Sequence, residues 1–273
     1  MRFLRGEGVG EVTKPGLGLE VGGPAINPVP RRMMTEHALE ALRSMGLEAR
    51  GVDITVSVKD GAEIARKTLN ARLGILGGIS ILGKTGIVYP YSNAAYIASI
   101  EQGIDVALSQ GSRSVVLTTG GQTEKFAMAL LPGLPEAAFV QMGDFVNKAL
   151  EHAARCGVRR CLLVGQPGKV AKLAQGEIYT HAGRSEVDMG FLAGLAGEAG
   201  ADQGFQEEAR KANTSRHVYE MALGRPWAPR YFELLCGRAA RVAWDHIRGA
   251  CAVESWLLDF EGALLAKAVL EGR

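Results

Sequence analysis

Three repeats of one pattern constrain how residues 114–175 can fold. A short apolar segment is followed each time by a glycine turn and a helix-forming segment, with the apolar segments at 114–118, 138–141 and 161–164. Strands that alternate with helices in this order are typical of a parallel sheet whose helices pack on its faces. The second half of the chain is therefore predicted to be a parallel α/β sheet domain.

The first part of the chain has a different pattern. Residues 1–32 are rich in glycine and proline, which predicts irregular hairpins and loops, and the prolines favour an extended backbone over 27–30. A helix is expected at 35–45, and valine and isoleucine alternate with polar residues over 51–58, as in a half-buried strand. We predict a smaller, two-layer α+β domain here, closed by a helix at 92–109.

The boundary between the two domains is predicted near residue 110. Residues 1–110 would form the α+β N-terminal domain, and residues 111–273 would form the α/β cofactor-binding domain with its C-terminal helices. In this second domain, the apolar segment 251–258 predicts a closing strand, and 262–271 predicts a terminal helix. A length of 273 residues suits two domains of this size.

The composition argues against several classes of protein. A net charge of +2 does not favour nucleic-acid binding, and no apolar run is long enough to span a membrane. Residues 1–6 are charged too early for a signal peptide, so we expect a cytoplasmic protein. The four cysteines form no CxxC pair and are expected to be reduced thiols. No HExxH motif or cysteine–histidine cluster with zinc spacing is present.

A glycine-rich motif at 78–85, GISILGKT, matches the phosphate-binding pattern G-x-x-x-x-G-K-[ST]. Such a loop binds phosphate only if a helix starts directly after it, because the N–H groups and the positive helix end must face the anion. Here Gly86, two β-branched residues and Pro90 disfavour a helix. A nucleoside triphosphatase is therefore our third interpretation, and it predicts that Lys84→Ala abolishes tight magnesium–ATP binding.

The segment around this motif also resembles a family signature. Its sequence is similar to the signature GGISILG-x-TGIV of the cobalt-precorrin-5B C1-methyltransferases, enzymes of anaerobic cobalamin (vitamin B12) biosynthesis. Seven blocks resemble the family and follow in family order: GEGVGEVTKPGL (6–17), GGPAINPVPRRM (22–33), LNARLGILGGISILG (69–83), TGGQTEKFA (119–127), QMGDFV (141–146), LLVGQPGKVAKLAQG (162–176) and THAGRSEVDM (180–189). The resemblance implies S-adenosylmethionine as methyl donor and a cobalt-containing tetrapyrrole as acceptor. Methylation of ring carbon C1 of cobalt-precorrin-5B would give cobalt-precorrin-6A.

The three glycine turns are the predicted cofactor site. In open parallel sheets, ligands bind outside the carboxyl ends of the strands, where these turns lie. On pattern alone, glycine at a strand end is equally consistent with a tight strand–helix turn. The resemblance implies that the turns bind S-adenosylmethionine, with contacts from Thr119, Gly120, Gly121, Glu124, Gly143, Gly165 and Lys169.

Two residues are predicted to be catalytic. His181 lies in the matching THAGR block and is the preferred base or substrate contact, since histidine titrates near neutral pH. Asp144 follows the glycine of the second turn, where its carboxylate could also bind ribose hydroxyls or simply stabilise the first turn of a helix. The resemblance implies that the metal arrives inside the substrate, so no metal ligands are expected from the protein itself.

Basic residues are predicted to bind the carboxylates of the acceptor. The acetate and propionate groups of a tetrapyrrole need cationic partners, and arginine pairs well with carboxylates. Arg31 and Arg32 follow a stiff Pro-Val-Pro segment, and Lys14 and Arg72 lie in other matching blocks. Adjacent arginines are also often plain solvated surface, so the pattern leaves both interpretations open.

The chain departs from the family pattern at its start. Family members usually carry a further segment before the block GEGVG, which begins here at residue 6. The resemblance then allows a shortened enzyme, one chain of a two-chain enzyme with a separate N-terminal partner, or a non-catalytic relative that binds a tetrapyrrole or a nucleotide. A homo-oligomer also remains open.

Overall fold

The computed structural model of the chain describes residues 1–47, 50–83, 92–181 and 183–272. The chain divides into two units, Met1–Tyr96 and Ile97–Arg273. This division comes earlier than the predicted boundary near residue 110. The reason is that the helix at Asn93–Ser109 buries Ile100 and Ile104 in the core of the second unit.

Two short strand pairs lie in the first unit. β1 (Arg2–Arg5) pairs in parallel with β3 (Asp53–Val56), and β2 (Glu11–Val12) pairs antiparallel with β4 (Ile75–Leu76). The predicted strand at 51–58 is confirmed at its centre, because the side chains of β3 alternate between exposed and half-buried. β1 and β2 fall where irregular structure was predicted, since short strands that pair with distant segments leave little local signal.

The helices α1 (Pro28–Ser44), α2 (Gly61–Ala65) and α3 (Asn93–Ser109) precede the main sheet. The expectation of an extended backbone over 27–30 and of a helix start near Thr35 was wrong, because both prolines lie in the first turn of α1. Proline fits there, since the first N–H groups of a helix have no partner within it and the fixed φ of proline suits a helix. α1 ends as expected before Gly46, which has a left-handed φ of 67°.

Backbone approaches backbone closely around Gly78. The amide of Ile79 donates to the carbonyl of Gly8 at 3.0 Å, and the amide of Gly10 donates to the carbonyl of Ile79 at 2.9 Å. A Cβ atom added to Gly78 would lie 2.3 Å from the carbonyl oxygen of Gly8. The glycine at this position is therefore required by the packing of two backbone segments.

The same hydrogen bonds bear on the phosphate-loop interpretation. The amides of Ile79 and Ile81 donate to the carbonyls of Gly8 and Ala25, so neither is free to bind phosphate. Over 79–81 the motif pairs with neighbouring backbone, which argues against a phosphate cradle at these amides. Lys84 and the rest of the motif lie outside the described residues.

Gly78→Ala should destabilise the chain. The added methyl group would overlap the Gly8 carbonyl unless the backbone shifts. We therefore expect the free energy of unfolding to fall by about 1–3 kcal/mol. Gly51→Ala is the matched control, because a Cβ atom there meets nothing within 4 Å. Urea unfolding followed by circular dichroism measures both changes. Equal stabilities for the two variants would contradict this account of the glycine.

The second unit is built on a five-stranded sheet in the order β6-β5-β7-β8-β9. Its strands are β5 (Ser114–Thr118), β6 (Phe139–Gln141), β7 (Arg160–Gly165), β8 (Ala252–Leu258) and β9 (Leu264–Leu270). The first four strands in this order are parallel, and β9 is antiparallel to β8. The predicted parallel α/β sheet is confirmed, including the three strands expected from the repeated pattern.

Helices cover both faces of this sheet. They are α4 (Gly121–Leu130), α5 (Val146–Arg155), α6 (Pro167–Ala174), α7 (Met189–Ala199), α8 (Gln203–Lys211), α9 (Ser215–Ala222) and α10 (Ala228–His246). α4 contributes Ala127 to a buried cluster with Val116 and Val164 on one face. α5, α6 and α10 pack on the opposite face, around Leu117 and Leu163. None of the helices in the described part of the chain combines the length and the hydrophobicity of a membrane-spanning segment.

The predicted terminal helix at 262–271 is instead the strand β9. The carboxylate of Asp259 accepts hydrogen bonds from the amides of Glu261 at 3.0 Å and Ala263 at 2.7 Å, and Gly262 has a φ of 94°. This tight turn folds the chain back so that β9 pairs along β8. Alanine, leucine and lysine favour a helix, but pairing with a buried strand outweighs that local preference.

Candidate functional site

A crevice is expected between two adjacent strands of a parallel sheet when the helices that follow them pack on opposite faces of the sheet. α4 follows β5 and packs on one face, whereas α6 follows β7 and packs on the other. β5 and β7 are neighbours in the sheet, so this change of face occurs between them. Their carboxyl ends therefore mark the place where a ligand can enter the sheet edge.

A small pocket with a cavity volume of about 20 Å³ lies at this place and opens to solvent. Among the predicted residues, Thr119, Gly165 and Lys169 line it. The sequence did not indicate two further polar residues in the wall, Thr180 and Ser255. The remaining lining side chains are apolar: Met142, Val146, Leu163, Val164, Val170 and Leu173. Apolar walls with a few polar groups are typical of small-molecule sites.

The first glycine turn leaves open space beside the pocket. Gly120 has an extended backbone and directly precedes α4, whose first residue is Gly121. A Cβ atom on Gly120 would meet nothing within 4 Å, and one on Gly121 would meet the amide group of Gln141 at 3.6 Å. Neither glycine is required by contacts within the protein. The open space is consistent with close approach of a ligand to the backbone.

The first two turns are joined through Glu124. This side chain lies in the first turn of α4, is only 6% exposed, and accepts a hydrogen bond from Gln141 Nε2 at 2.8 Å. Gly143, in the second turn, has a left-handed φ of 56°, which glycine adopts without strain. The contact holds the Glu124 carboxylate beside the sheet edge, and its predicted bond to a ribose remains a prediction.

Asp144 and Lys169 are brought together at the rim of the pocket. The ammonium group of Lys169 contacts the Asp144 carboxylate and donates to the carbonyl of Thr180 at 3.0 Å. The hydroxyl of Thr180 donates to the same carboxylate at 3.3 Å. These contacts fix the second and third turns and the segment before His181 relative to one another. They also mean that each charge already has a partner within the protein.

A second lysine lies at this rim, and the sequence did not indicate it. Lys172 Nζ donates to the carbonyls of Ser185 at 2.5 Å and Thr180 at 3.5 Å. Burial lowers the pKa of this ammonium group, and the nearby charge of Lys169 lowers it further. Lys172 therefore holds Thr180 and Ser185 against α6 through their backbone carbonyls.

His181 is exposed, and its ring lies beside that of Tyr179 with centroids 5.9 Å apart. The amide of Gly183 donates to His181 Nδ1 at 3.1 Å. In the neutral ring, the proton is then on Nε2, so neither nitrogen has a lone pair free to accept a substrate proton. This placement favours a hydrogen-bond donor over a base, and a catalytic role for His181 remains a prediction.

Arg31 and Arg32 of the first unit, which are predicted to bind acceptor carboxylates, make different contacts in the structure. Arg31 donates to the carbonyl of Ile26 at 2.8 Å and to that of Pro24 at 3.3 Å, and its guanidinium lies 5.4 Å from the ring centre of Phe3. The side chain of Arg32 is 68% exposed and is 3.9 Å from a glutamate one helical turn later. Arg31 thus supports the local fold, whereas Arg32 faces solvent.

Lys14 and Arg72 lie side by side. The Lys14 ammonium donates to the backbone carbonyl of Arg72 at 3.3 Å. Its aliphatic stem packs on Gly74, where an added Cβ atom would lie 2.5 Å from it. The structure brings together two residues predicted to bind substrate, although their contact with a substrate is not tested.

The fold and the pocket define an α/β protein with a candidate small-molecule site at the carboxyl ends of its parallel strands. The family model described as CbiD matches residues 1–90, and the model described as CbiD, C-terminal domain matches residues 179–269. The chain belongs to the CbiD family, whose curated relatives are named cobalt-precorrin-5B C(1)-methyltransferases. The resemblance found in the sequence blocks is confirmed.

Two such relatives show the extent of the similarity. The protein of Rubrobacter xylanophilus is 51% identical over 259 residues, which cover 94% of this chain and 65% of that protein. The protein of a Geobacillus species is 49% identical over 264 residues, which cover 97% of this chain and 72% of that protein. The chain thus spans about two thirds of the length of these relatives.

A solved structure is also similar in sequence. The crystal structure of the cobalamin biosynthesis protein (cbiD) from Archaeoglobus fulgidus is 27% identical, and the match covers 63% of this chain and 51% of that chain. The TM-score is 0.27, so the superposition supports no structural comparison.

Proposed function

We propose that this chain uses S-adenosylmethionine to methylate ring carbon C1 of cobalt-precorrin-5B, which gives cobalt-precorrin-6A. The names of its relatives support the acceptor and the reaction. The pocket between the ends of β5 and β7 supports a binding site for the donor, and it is the observation on which the proposal depends. We also propose a cytoplasmic location, where the four free thiols would remain reduced.

Three features of the pocket fit this donor. The Ser255 hydroxyl is buried in its wall beside the thiol of Cys236, and since a thiol is a weak hydrogen-bond partner, a polar ligand atom would be a stronger one. No side chain within the described ranges caps α4, so its first N–H groups are available to a ligand carboxylate. The backbone at Gly120 and Gly121 leaves room for that group.

In this reaction, the residues of the chain would mainly bind and orient the methyl donor and the acceptor. When bound, S-adenosylmethionine supplies an electrophilic methyl group, so the protein must align it with the acceptor carbon and exclude water. Thr119 and Ser255 would orient the donor through their hydroxyl groups, and the apolar walls would exclude water. Asp144 and Lys169 hold the rim of the pocket in place.

The acceptor carboxylates would bind basic side chains of the first unit. The exposed guanidinium of Arg32 is available for such a contact, and the ammonium group of Lys14, which lies against the backbone of Arg72, offers a second one. Arg31 would act through its support of the local backbone, because its guanidinium already donates to two carbonyls.

Ser255→Ala tests the donor site. Wild-type chain should bind one S-adenosylmethionine in titration calorimetry, and loss of the hydroxyl should weaken binding about 5-fold, the effect of one hydrogen bond of ~1 kcal/mol. Ser114→Ala is the matched control, because Ser114 lies at the opposite end of β5. If wild-type chain binds no donor, or if both variants bind it equally well, the pocket is not the donor site.

A further inference from the structure

Three metal-binding side chains meet outside the pocket. His152 lies on α5, Cys156 follows four residues later at the end of that helix, and Asp105 lies on α3. His152 Nε2 is 2.7 Å from Asp105 Oδ1 and 3.4 Å from Cys156 Sγ, and the sulfur is 3.7 Å from the same carboxylate oxygen. All three ligand atoms therefore lie within 4.8 Å of one another.

We propose that Asp105, His152 and Cys156 form a binding site for a single transition-metal ion of the Zn²⁺ or Co²⁺ type. A set of one thiolate, one imidazole and one carboxylate suits these ions, whereas Mg²⁺ and Ca²⁺ require oxygen ligands. The site is separate from any metal that a substrate contains.

The spacing of the ligand atoms fits one face of a tetrahedron. Zinc bonds of ~2.1 Å to nitrogen and oxygen and ~2.3 Å to sulfur separate tetrahedral ligands by about 3.4 Å for N and O and about 3.6 Å for pairs with S. The two distances from the sulfur, 3.4 and 3.7 Å, are already close to this geometry. Only the N–O distance of 2.7 Å must lengthen, because an ion would replace the present hydrogen bond.

The site has a candidate partner for the second ring nitrogen. Metal-bound histidines almost always donate their other N–H group to a carboxylate or a carbonyl. Glu101 lies one helical turn before Asp105 on α3, and its Oε1 is 3.5 Å from His152 Nδ1. In the metal-free protein Nδ1 is instead 2.7 Å from Arg155, which can only donate, so the ring proton is then on Nε2.

Metal binding requires a defined rearrangement of protons. The ring proton moves from Nε2 to Nδ1, where it can bond to Glu101, and the guanidinium of Arg155 turns to the same carboxylate, from which it is 3.5 Å away. The Cys156 thiol releases its proton to solvent and binds the ion as a thiolate.

The geometry does not match a catalytic triad. In a Cys–His–Asp triad, the nucleophile and the carboxylate contact different ring nitrogens, so that the carboxylate orients the base. Here Cys156 and Asp105 both face Nε2 of His152. Convergence of three ligand atoms on one point is the arrangement of a chelate.

The cluster is also accessible to an ion from solvent. The side chain of His152 is 9% exposed, which holds its ring in place, whereas that of Asp105 is 38% exposed. A fourth ligand, such as water, can therefore approach from the solvent side. An open fourth position is typical of exchangeable or catalytic zinc sites.

Titration with Co²⁺ tests the site directly. Chelator-treated full chain should bind one equivalent of CoCl₂ with a sulfur-to-cobalt charge-transfer band in the near ultraviolet. Cys156→Ser should remove the band, and Asp105→Asn should keep it but weaken Zn²⁺ binding at least about 10-fold. Glu101→Gln should weaken Zn²⁺ binding by roughly 10–100-fold through its support of the histidine.

The controls are a cysteine and a histidine elsewhere in the second unit. Cys236→Ala and His217→Gln should leave the stoichiometry, the band and the Zn²⁺ affinity unchanged. Circular dichroism of each metal-free variant checks that it is folded. The proposal is overturned if the wild-type chain shows no band, or if folded Cys156→Ser retains it. It is also overturned if Asp105→Asn and Glu101→Gln both bind Zn²⁺ as tightly as the wild type. The cluster would then be a hydrogen-bonded contact between α3 and α5.

Discussion

Gly121→Asp should abolish S-adenosylmethionine binding while the second unit stays folded. A Cβ atom at this position meets only the side chain of Gln141, at 3.6 Å, so the substitution fits the protein itself. Aspartate in the first turn of a helix is stabilised by the helix dipole. The same carboxylate would fill the open space beside the pocket with bulk and negative charge, where the donor carboxylate is proposed to bind.

The expected size of this effect is at least about 100-fold in the dissociation constant, or ~2.7 kcal/mol. Gly133→Asp is the matched control, because Gly133 follows α4 at its opposite end and a Cβ atom there meets nothing within 4 Å. Calorimetry gives both dissociation constants, and thermal unfolding checks both folds. Wild-type affinity in Gly121→Asp would show that the donor binds elsewhere.

Arg160→Met should be among the most destabilising single substitutions in the sheet. Glu254 is 1% exposed within β8, and its carboxylate contacts the guanidinium of Arg160 on β7. Its other oxygen accepts a hydrogen bond from Trp256 Nε1 at 2.7 Å. Removal of the cation leaves a buried carboxylate without its charge partner, which is strongly unfavourable.

We expect a loss of about 2–3 kcal/mol in the free energy of unfolding, less than for a fully buried pair because half of the Arg160 side chain is exposed. Arg159→Met, at an exposed neighbouring position, should change stability by less than about 0.5 kcal/mol. The double variant Arg160→Met/Glu254→Gln should recover most of the loss, since it no longer buries a charge. Guanidinium unfolding of the wild type, these three variants and Glu254→Gln alone measures the coupling, and additive effects of Arg160→Met and Glu254→Gln would contradict it.

The sequence predicted the parallel sheet because its signals are local. Each of β5, β6 and β7 is an apolar run with a glycine at its end or within two residues after it, and this pattern is sufficient to place three strands and the edge where ligands enter. Elements defined by distant contacts were missed or misassigned. β9 was taken for a helix because its residues favour one, and β1 was not recognised because its partner β3 lies far along the chain.

The candidate site shows the same difference between residues with a local sequence signal and residues placed by distant contacts. Thr119, Gly165 and Lys169 were found because they belong to the glycine turns, whereas Ser255 reaches the pocket only because β8 pairs with β7. The Asp105 cluster was missed for a similar reason. His152 and Cys156 are four residues apart, but their third ligand comes from α3, and no spacing in the sequence indicates that contact.

The most direct test of the proposed function is a methyl-transfer assay followed by mass spectrometry. Purified chain, cobalt-precorrin-5B and S-adenosylmethionine with an isotopically labelled methyl group would be incubated anaerobically. We predict a product heavier by one labelled methyl group, with the label at C1, and no product from Gly121→Asp. An unchanged tetrapyrrole, in the presence of chain that binds the donor, would contradict the claim that this chain itself performs the methylation.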